Sequence, residues 1–249
     1  GSHGKTTTTS LVAKILSDQK LDPTIINGGV INSLKSNAKL GKGEWAILEA
    51  DESDGSFLKL PINYSIVTNI DYEHIDFYKN FTNLKKSFLK FLNKTPPIGK
   101  TILCLDDKNV YKLIKELKIK NYLTYGFNHK SNYQVLNPKF SNNRSIFSLR
   151  YKTLKGSIKI FKNITLNLLG KHNILNAAAA ISISLNLGIK INIIKKALGK
   201  FSGVQRRMTK VFSHQKKDFY DDYAHHPTEI SSVLNSVKQV SNKRKIITI

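Results

Sequence analysis

The chain has 249 residues, 40% of them apolar, and sets 40 lysines and arginines against 17 aspartates and glutamates for a formal net charge of +23, enough length and apolar content for one large domain or one domain plus part of another. No run approaches the roughly 18 consecutive apolar residues of a membrane helix, no charged-then-apolar leader resembles a signal peptide, and a single cysteine excludes an internal disulfide or a cysteine-rich metal centre. The charge points first to nucleic acid, but only five of the 40 basic residues are arginine and the lysines are scattered, so adhesion to polyanions at low salt is expected and specific recognition of nucleic acid is not.

The opening "GSHGKTTTTS" admits two readings. Gly1 to His3 match a scar left by tag removal, yet with Gly4, Lys5 and Thr6 they make G-x-x-G-K-T, a compact form of the loop whose backbone N–H groups and lysine surround nucleotide phosphates. Leu11, Val12, Ile15 and Leu16 recur at helical spacing, which predicts a helix over about Lys5 to Lys20 opening directly from that loop. "EWAILEAD" and "YSIVTNI" are short apolar runs that end in polar residues, as buried parallel strands do, and "TILCLDD" is a third, with Cys104 as a core residue of a protein in a reducing cytoplasm. "NLKKSFLKFLN" and "KNVYKLIKELK" read as helices, so the pattern is βα alternation and a doubly wound sheet.

From about Asn132 to Leu169 polar and apolar residues alternate, with turn signals "NN" and "KG", which predicts antiparallel hairpins. "HNILNAAAAISISLNLG" then reads as an Ala-rich helix closed by Gly188, and "INIIKKALGKF" as another. "SGVQRR" marks a boundary between a unit at 1–202 and one at 203–249. Beyond it, strand-like "KDFYDDYA", helix-like "PTEISSVLNSVKQV" with Pro227 in its first turn, and strand-like "KIITI" restart a βα unit. A phosphate loop needs a strand leading into it and a terminal strand needs a neighbour, so the chain reads as a piece of a longer protein.

The chemistry collects at strand ends. In the loop, Lys5 suits terminal phosphates, the Thr6 hydroxyl suits magnesium, and the helix N-terminus adds partial positive charge. "ILEADESD" places Glu49 at the C-terminal end of a strand, where ligand sites of open α/β sheets gather, and "TNIDYEHID" offers His74 among carboxylates at a further strand end. Taken by itself, the acidic group Glu49, Asp51, Glu52 and Asp54 reads as a solvated loop. Substitutions Lys5→Ala and Glu49→Gln at this rim are expected to remove activity and leave the fold intact.

"GSHGKTTTTS", "NGG", "EADESDGSF", "TNIDYEHIDFY", "LLGKHNILNAAAA", "GVQRR" and "DDYAHHPTE" occur in the order found in Mur ligases, and the chain resembles that family over nearly its whole length. The family loop begins Gly-Thr-His-Gly-Lys-Thr, so Ser2 is a conservative departure and the scar reading falls away. The resemblance implies a P-loop-type, mostly parallel α/β sheet flanked by helices with an antiparallel hairpin region, over 1–202, followed by the beginning of a Rossmann-like C-terminal domain at 203–249. It implies nucleotide contacts at Gly1, Ser2, His3, Gly4, Lys5, Thr6 and Thr7, and magnesium ligands at Thr6, Glu49 and His74. His172, Asn173 and Asn176 are implied near the adenine and nucleotide, Arg207 near phosphate oxygens, Asp222 at the nucleotide side of the closed site, and Asp51, Ser53 and His226 toward substrate. The implied activity is ATP- and Mg²⁺-dependent joining of L-alanine to the carboxylate of UDP-N-acetylmuramate in peptidoglycan precursor synthesis. A family member that recycles murein tripeptide is the rival, set back by Ser53 where a tyrosine is expected; a P-loop ATPase that binds nucleic acid and a non-catalytic interaction module are the rivals outside the family.

Overall fold

The structure, a computed structural model, describes residues 1–141, 143–152, 156–215, 217–241 and 244–249. The first residue of each turn signal, Asn142 and Lys155, and the residues Asn242 and Lys243 that open the basic tract "NKRK", lie outside the described residues.

Helix α1 (Lys5–Asp18) opens at Gly4 and is followed by strands β1 (Thr24–Ile31), β2 (Ser36–Lys39) and β3 (Ala46–Leu48), which form a three-stranded sheet in the order β2-β1-β3 with β1 and β3 parallel. A 3₁₀ turn (Ser56–Lys59) leads to β4 (Tyr64–Val67), a short helix α2 (Ile75–Tyr78) and helix α3 (Phe81–Asn93). Then come β5 (Lys100–Cys104), α4 (Lys108–Ile114), β6 (Tyr122–Gly126) and the long strands β7 (Tyr133–Ser141), β8 (Arg144–Lys152) and β9 (Ile158–Leu166). These strands form one sheet in the order β4-β5-β6-β7-β8-β9, parallel through β7 and antiparallel beyond it. The expected antiparallel hairpins are therefore present, at β7–β8 and β8–β9.

The period-two rule divides the core. On β5, Ile102 and Cys104 face helices α1, α5 (Lys171–Asn186) and α6 (Ile191–Gly199), whereas Leu103 faces α3 and α4. The sheet thus has helices on both faces. Phe88, Leu84 and Leu92 of α3 recur at helical spacing and are buried, the amphipathic stripe read from the sequence.

One run lies where no strand was read from the sequence, and another differs from expectation. "TIINGGVI" is strand β1, although Asn-Gly-Gly in its middle reads as a breaker; its pairing with β2 is irregular between Ile26 and Ile31, where those glycines lie. "KIITI" at 245–249 forms no strand, with Ile247 and Ile249 exposed, because strand geometry persists only where a neighbouring ladder takes up its N–H and C=O groups. The strands after Ser202, β10 (Thr209–His214) and β11 (Lys217–Asp221), pair with each other alone. Helix α7 (Pro227–Val240) follows, with Pro227 at its first turn and His226 as its cap.

β3 and β4 face one another without pairing, across a slot of about 620 Å³ lined by Trp45, Ile47, Tyr64, Ile66 and Phe91, with Gly1 and Lys5 among its lining residues. Residues 203–205 return to the first sheet, where Val204 bridges Ile31 and Gln205 N–H donates to Val30 O. No helix among the described residues is long and apolar enough to cross a membrane.

Candidate active site

The loop at the start of α1 is held by the strap that follows β4. Ser2 N–H donates to Asn69 O at 3.1 Å and His3 N–H to Asn69 Oδ1 at 2.7 Å; Thr68 Oγ1 and Asn69 Nδ2 both donate to His3 O, and Asp71 N–H donates to Ser2 Oγ. Gly1 packs so closely on Thr68 that a side chain would collide with it. Gly1 to His3 are in this way built into the loop. Gly4 has φ 81°, and a Cβ there would lie 2.5 Å from Asn176 Oδ1, so both conformation and space require glycine. Thr8 N–H donates to Gly4 O as the first intrahelical bond. The N–H groups of Lys5, Thr6 and buried Thr7 therefore open toward the loop, the arrangement that favours an anion at a helix N-terminus.

Lys5 Nζ donates to both oxygens of Glu52, at 3.0 and 3.1 Å, and lies 3.3 Å from Asp51 Oδ1. Burial alone would lower the lysine's pKa, but the Glu52 and Asp51 carboxylates outweigh it and raise the value, so Lys5 is a held cation. Glu52 is only 1% exposed, while Asp51 is 58% exposed and accepts from Ser53 N–H and Oγ in a tight local turn. Thr6 Oγ1 donates to Glu49 Oε1 at 2.9 Å, and Gly28 N–H donates to Glu49 Oε2 at 2.6 Å. A Cβ on Gly28 would stand 2.8 Å from that carboxylate, which explains the glycine inside β1. A hydroxyl and a carboxylate meeting at one point are hard oxygen donors and fit Mg²⁺. His74, in a left-handed conformation with φ 55°, turns its Nε2 to within 3.9 Å of Glu52 Oε1, so it joins Glu52 and Asp51 in a second set of metal-type ligands.

The remaining expected residues divide between support and seam. Asn176 packs behind Gly4 and donates to Asn173 Oδ1, and Asn173 donates to Leu169 O; both are buried and brace the loop from α5. His172 lies against α7, with Nδ1 3.4 Å from Ser236 Oγ; burial, assisted by the Arg207 charge, holds its pKa down at about 4. Arg207 approaches Glu229 at 3.9 Å and lies over the Tyr223 ring. Asp222 accepts from Met208 N–H and Ala224 N–H, both at 2.8 Å, and shapes the 206–224 turn. His226 caps α7 and packs against His3, ring centroids 4.9 Å apart.

Residues 1–184 match the family model described as Mur ligase middle domain, and residues 206–249 match that described as Mur ligase, glutamate ligase domain. The chain belongs to the Mur ligase family. It is 55% identical over 249 residues to the UDP-N-acetylmuramate–L-alanine ligase of Pelagibacter ubique, covering 100% of this chain and 54% of that protein. With the ligase of the same name from Brucella anthropi it shares 42% identity over 246 residues, 99% of this chain and 53% of that one. Among solved structures, the UDP-N-acetylmuramate-alanine ligase of Thermotoga maritima superposes with a TM-score of 0.82 at 30% identity, over 96% of this chain and 53% of that one. A MurF ligase of the same organism, in complex with ADP, shares the fold with a TM-score of 0.76 at 18% identity, over 96% of this chain and 56% of that one. The chain spans about half the length of these relatives.

The Mur ligase site also contains residues to which the sequence assigned no part. Glu52 is the direct partner of Lys5, although an acidic run after a strand reads as solvated. Glu229, on α7, faces His3 and Arg207 together, and Thr228 Oγ1 donates to Asp71 Oδ2 at 2.7 Å. The part played by Glu229 and Thr228 depends on how 203–249 seats on the loop, which no local pattern encodes.

Proposed function

We propose that this Mur ligase chain carries the ATP-binding part of an enzyme that joins L-alanine to the carboxylate of UDP-N-acetylmuramate in peptidoglycan precursor synthesis, with 1–202 as the nucleotide domain and 203–249 as the start of the domain that closes on it. The 55% identity over the whole chain to a ligase of that name carries the reading. The murein peptide ligase of Psychrobacter arcticus stands at 22% identity, which favours the synthetic over the recycling activity.

The reaction brings two anions together. A carboxylate oxygen of the sugar nucleotide bonds to the γ-phosphorus of ATP as the bond to ADP breaks; the alanine nitrogen then bonds to the activated carbonyl carbon, phosphate leaves with the electron pair, and the nitrogen gives up a proton. The chain's residues suit the first step. The N–H groups opening α1 would take phosphate oxygens, and the incoming triphosphate would replace Glu52 and Asp51 as partner of Lys5. Thr6 and Glu49 would hold Mg²⁺, which supplies charge neutralisation at the phosphates. Arg207, permanently charged and 3.9 Å from Glu229 beside the loop, would meet charge that develops on transfer. Seating α7 over the loop shields an acyl phosphate from water.

The test is product stoichiometry in the intact enzyme. ADP and phosphate should form only when UDP-N-acetylmuramate and L-alanine are both present, one of each per amide. ATP hydrolysis indifferent to either substrate, or preference for a preformed tripeptide over alanine, would reject the reading.

A further inference from the structure

The seam between the loop, the strap and α7 gathers imidazoles and carboxylates that phosphate transfer does not use as reacting groups. We propose that His3, His226 and Glu73 form a binding site for a divalent transition-metal ion of the zinc class, approached also by Glu229 and separate from the oxygen-donor position at Thr6 and Glu49. The inference does not rest on the ligase reading.

One nitrogen of each histidine and one oxygen of Glu73 lie within 4.8 Å of one another. Three atoms so spaced have a common point about 2.8 Å or less from each, against roughly 2.0–2.2 Å for zinc–ligand bonds, so a closure of under about 1 Å per ligand completes the set.

One nitrogen of His3 is already committed as a donor. Its Nε2 lies 3.0 Å from Asp71 Oδ2, and a carboxylate only accepts, so Nε2 carries the hydrogen. An imidazole N–H bonded to a carboxylate, with the opposite nitrogen turned inward, is the outer-shell arrangement of metal-ligating histidines.

That inward nitrogen, Nδ1, is buried, has no hydrogen-bond partner among the described residues, and faces Glu229 Oε1 at 3.4 Å and Glu73 Oε1 at 3.9 Å. A lone pair against carboxylate oxygens needs a positive charge between them. In the metal-free protein a single proton on His3 answers this, with Nε2 on Asp71 and Nδ1 facing Glu229; a dication between the His3 and His226 rings, whose centroids lie 4.9 Å apart, would take that proton's place and bring the two rings into shared ligation. Mixed imidazole and carboxylate donors select zinc, cobalt or nickel over magnesium, which prefers oxygen. Because His3 belongs to the loop and His226 stands at the start of α7, the ion would tie the C-terminal unit to the loop, with His226 giving up the 3.3 Å capping bond that its Nδ1 accepts from Thr228 N–H.

The test is cobalt titration of the metal-stripped protein in excess Mg²⁺, followed by zinc competition. One equivalent of Co²⁺ should give visible ligand-field bands that Zn²⁺ abolishes, and Zn²⁺ should raise Tm. His3→Ala, His226→Ala and Glu73→Gln should each weaken cobalt binding by about 10-fold or more, as should Asp71→Asn through the lost outer-shell bond. His74→Ala should leave the bands unchanged. Circular dichroism checks the fold of each variant, and His226→Ala, altering a partly exposed cap, serves if His3→Ala does not fold. Unchanged affinity in folded His226→Ala, loss of the bands in His74→Ala, or no bands in the wild type would each overturn the proposal.

Discussion

Lys5 and Glu52 form a buried ion pair at the mouth of the loop, and this separates what Lys5 does for the fold from what it does for nucleotide. From sequence, Lys5→Ala is a rim substitution that spares the fold. The structure argues otherwise, because removing the lysine leaves the 1%-exposed Glu52 without its partner, and breaking one side of such a pair costs roughly 3–5 kcal/mol. Lys5→Ala should therefore lower Tm by several degrees, and Lys5→Ala/Glu52→Gln should recover most of the loss while remaining inactive. A double variant no more stable than the single would remove Glu52 as the cause. A second prediction concerns His172, held at about 4 by burial and then by Arg207, against an ordinary 6.5. Between these values the unfolded chain binds a proton that the folded chain refuses, so stability is full above pH 6.5 and declines as pH falls toward 4. Asp71, held at about 2 against 3.8, contributes its pH dependence only below that window. Urea midpoints from pH 4.5 to 7 should slope upward in the wild type and less so in His172→Gln; equal slopes would mean that His172 is not the titrating group.

The elements show which information lies in local sequence. Helices α1, α3 and α6 were legible because an apolar stripe at period 3.6 needs no knowledge of its partner, α5 because an alanine-rich run closed by Gly188 reads as a helix, and β4 and β5 because a short apolar run suffices for a doubly covered strand. Strand β1 was not, since Asn27-Gly28-Gly29 is punctuation locally; it is a strand through its ladders with β2 and β3, and its glycines let the backbone approach Glu49 and Thr6. "KIITI" erred in the opposite direction: its composition is that of a strand, but pairing is a property of neighbours. At the site, Lys5, Thr6 and Glu49 were readable from a motif and a strand end, whereas Glu52, Asp71 and Glu229 acquire meaning only from residues 47 to 226 positions away. Helix α5 supplies the prediction at this scale. Ala177 to Ala180 are all 0% exposed, and α5 lies against α1 with its short side chains in the interface. Ala178→Leu adds three carbons where no space exists, and overpacking of this kind costs about 1–3 kcal/mol. Because α5 also braces Gly4 through Asn176, the same substitution should weaken ATP binding, measured by calorimetry beside thermal melts. A stable variant with altered affinity would show that the helix shifts rather than strains.

Across the whole molecule, apolar burial is concentrated in residues before 205, while the part after it is attached chiefly by polar contacts. Among the described residues of α7 only Ser236 is buried, and β10 and β11 are exposed along most of their length. What joins α7 to the loop and to α5 is the Thr228–Asp71 bond, the His3–Glu229 ion pair and the Ser236–His172 contact. Such contacts are individually weak and partly screened by salt, whereas α1 and α5 open only with the core. Hydrogen exchange should therefore resolve two levels: amides of α7 exchanging orders of magnitude faster than those of α5 under the same conditions, and faster still as ionic strength rises, with α5 unaffected. Lys5 and Arg207 lie on opposite sides of this seam, so a triphosphate held between them joins the two parts, and Mg-ATP should slow exchange in α7 more than in α5. Protection of α7 equal to that of α5 without ligand would mean that the seam is part of one cooperative core. Protection that rises equally in both on adding Mg-ATP would place the nucleotide wholly on the loop side, and Arg207 would then have no part in holding it.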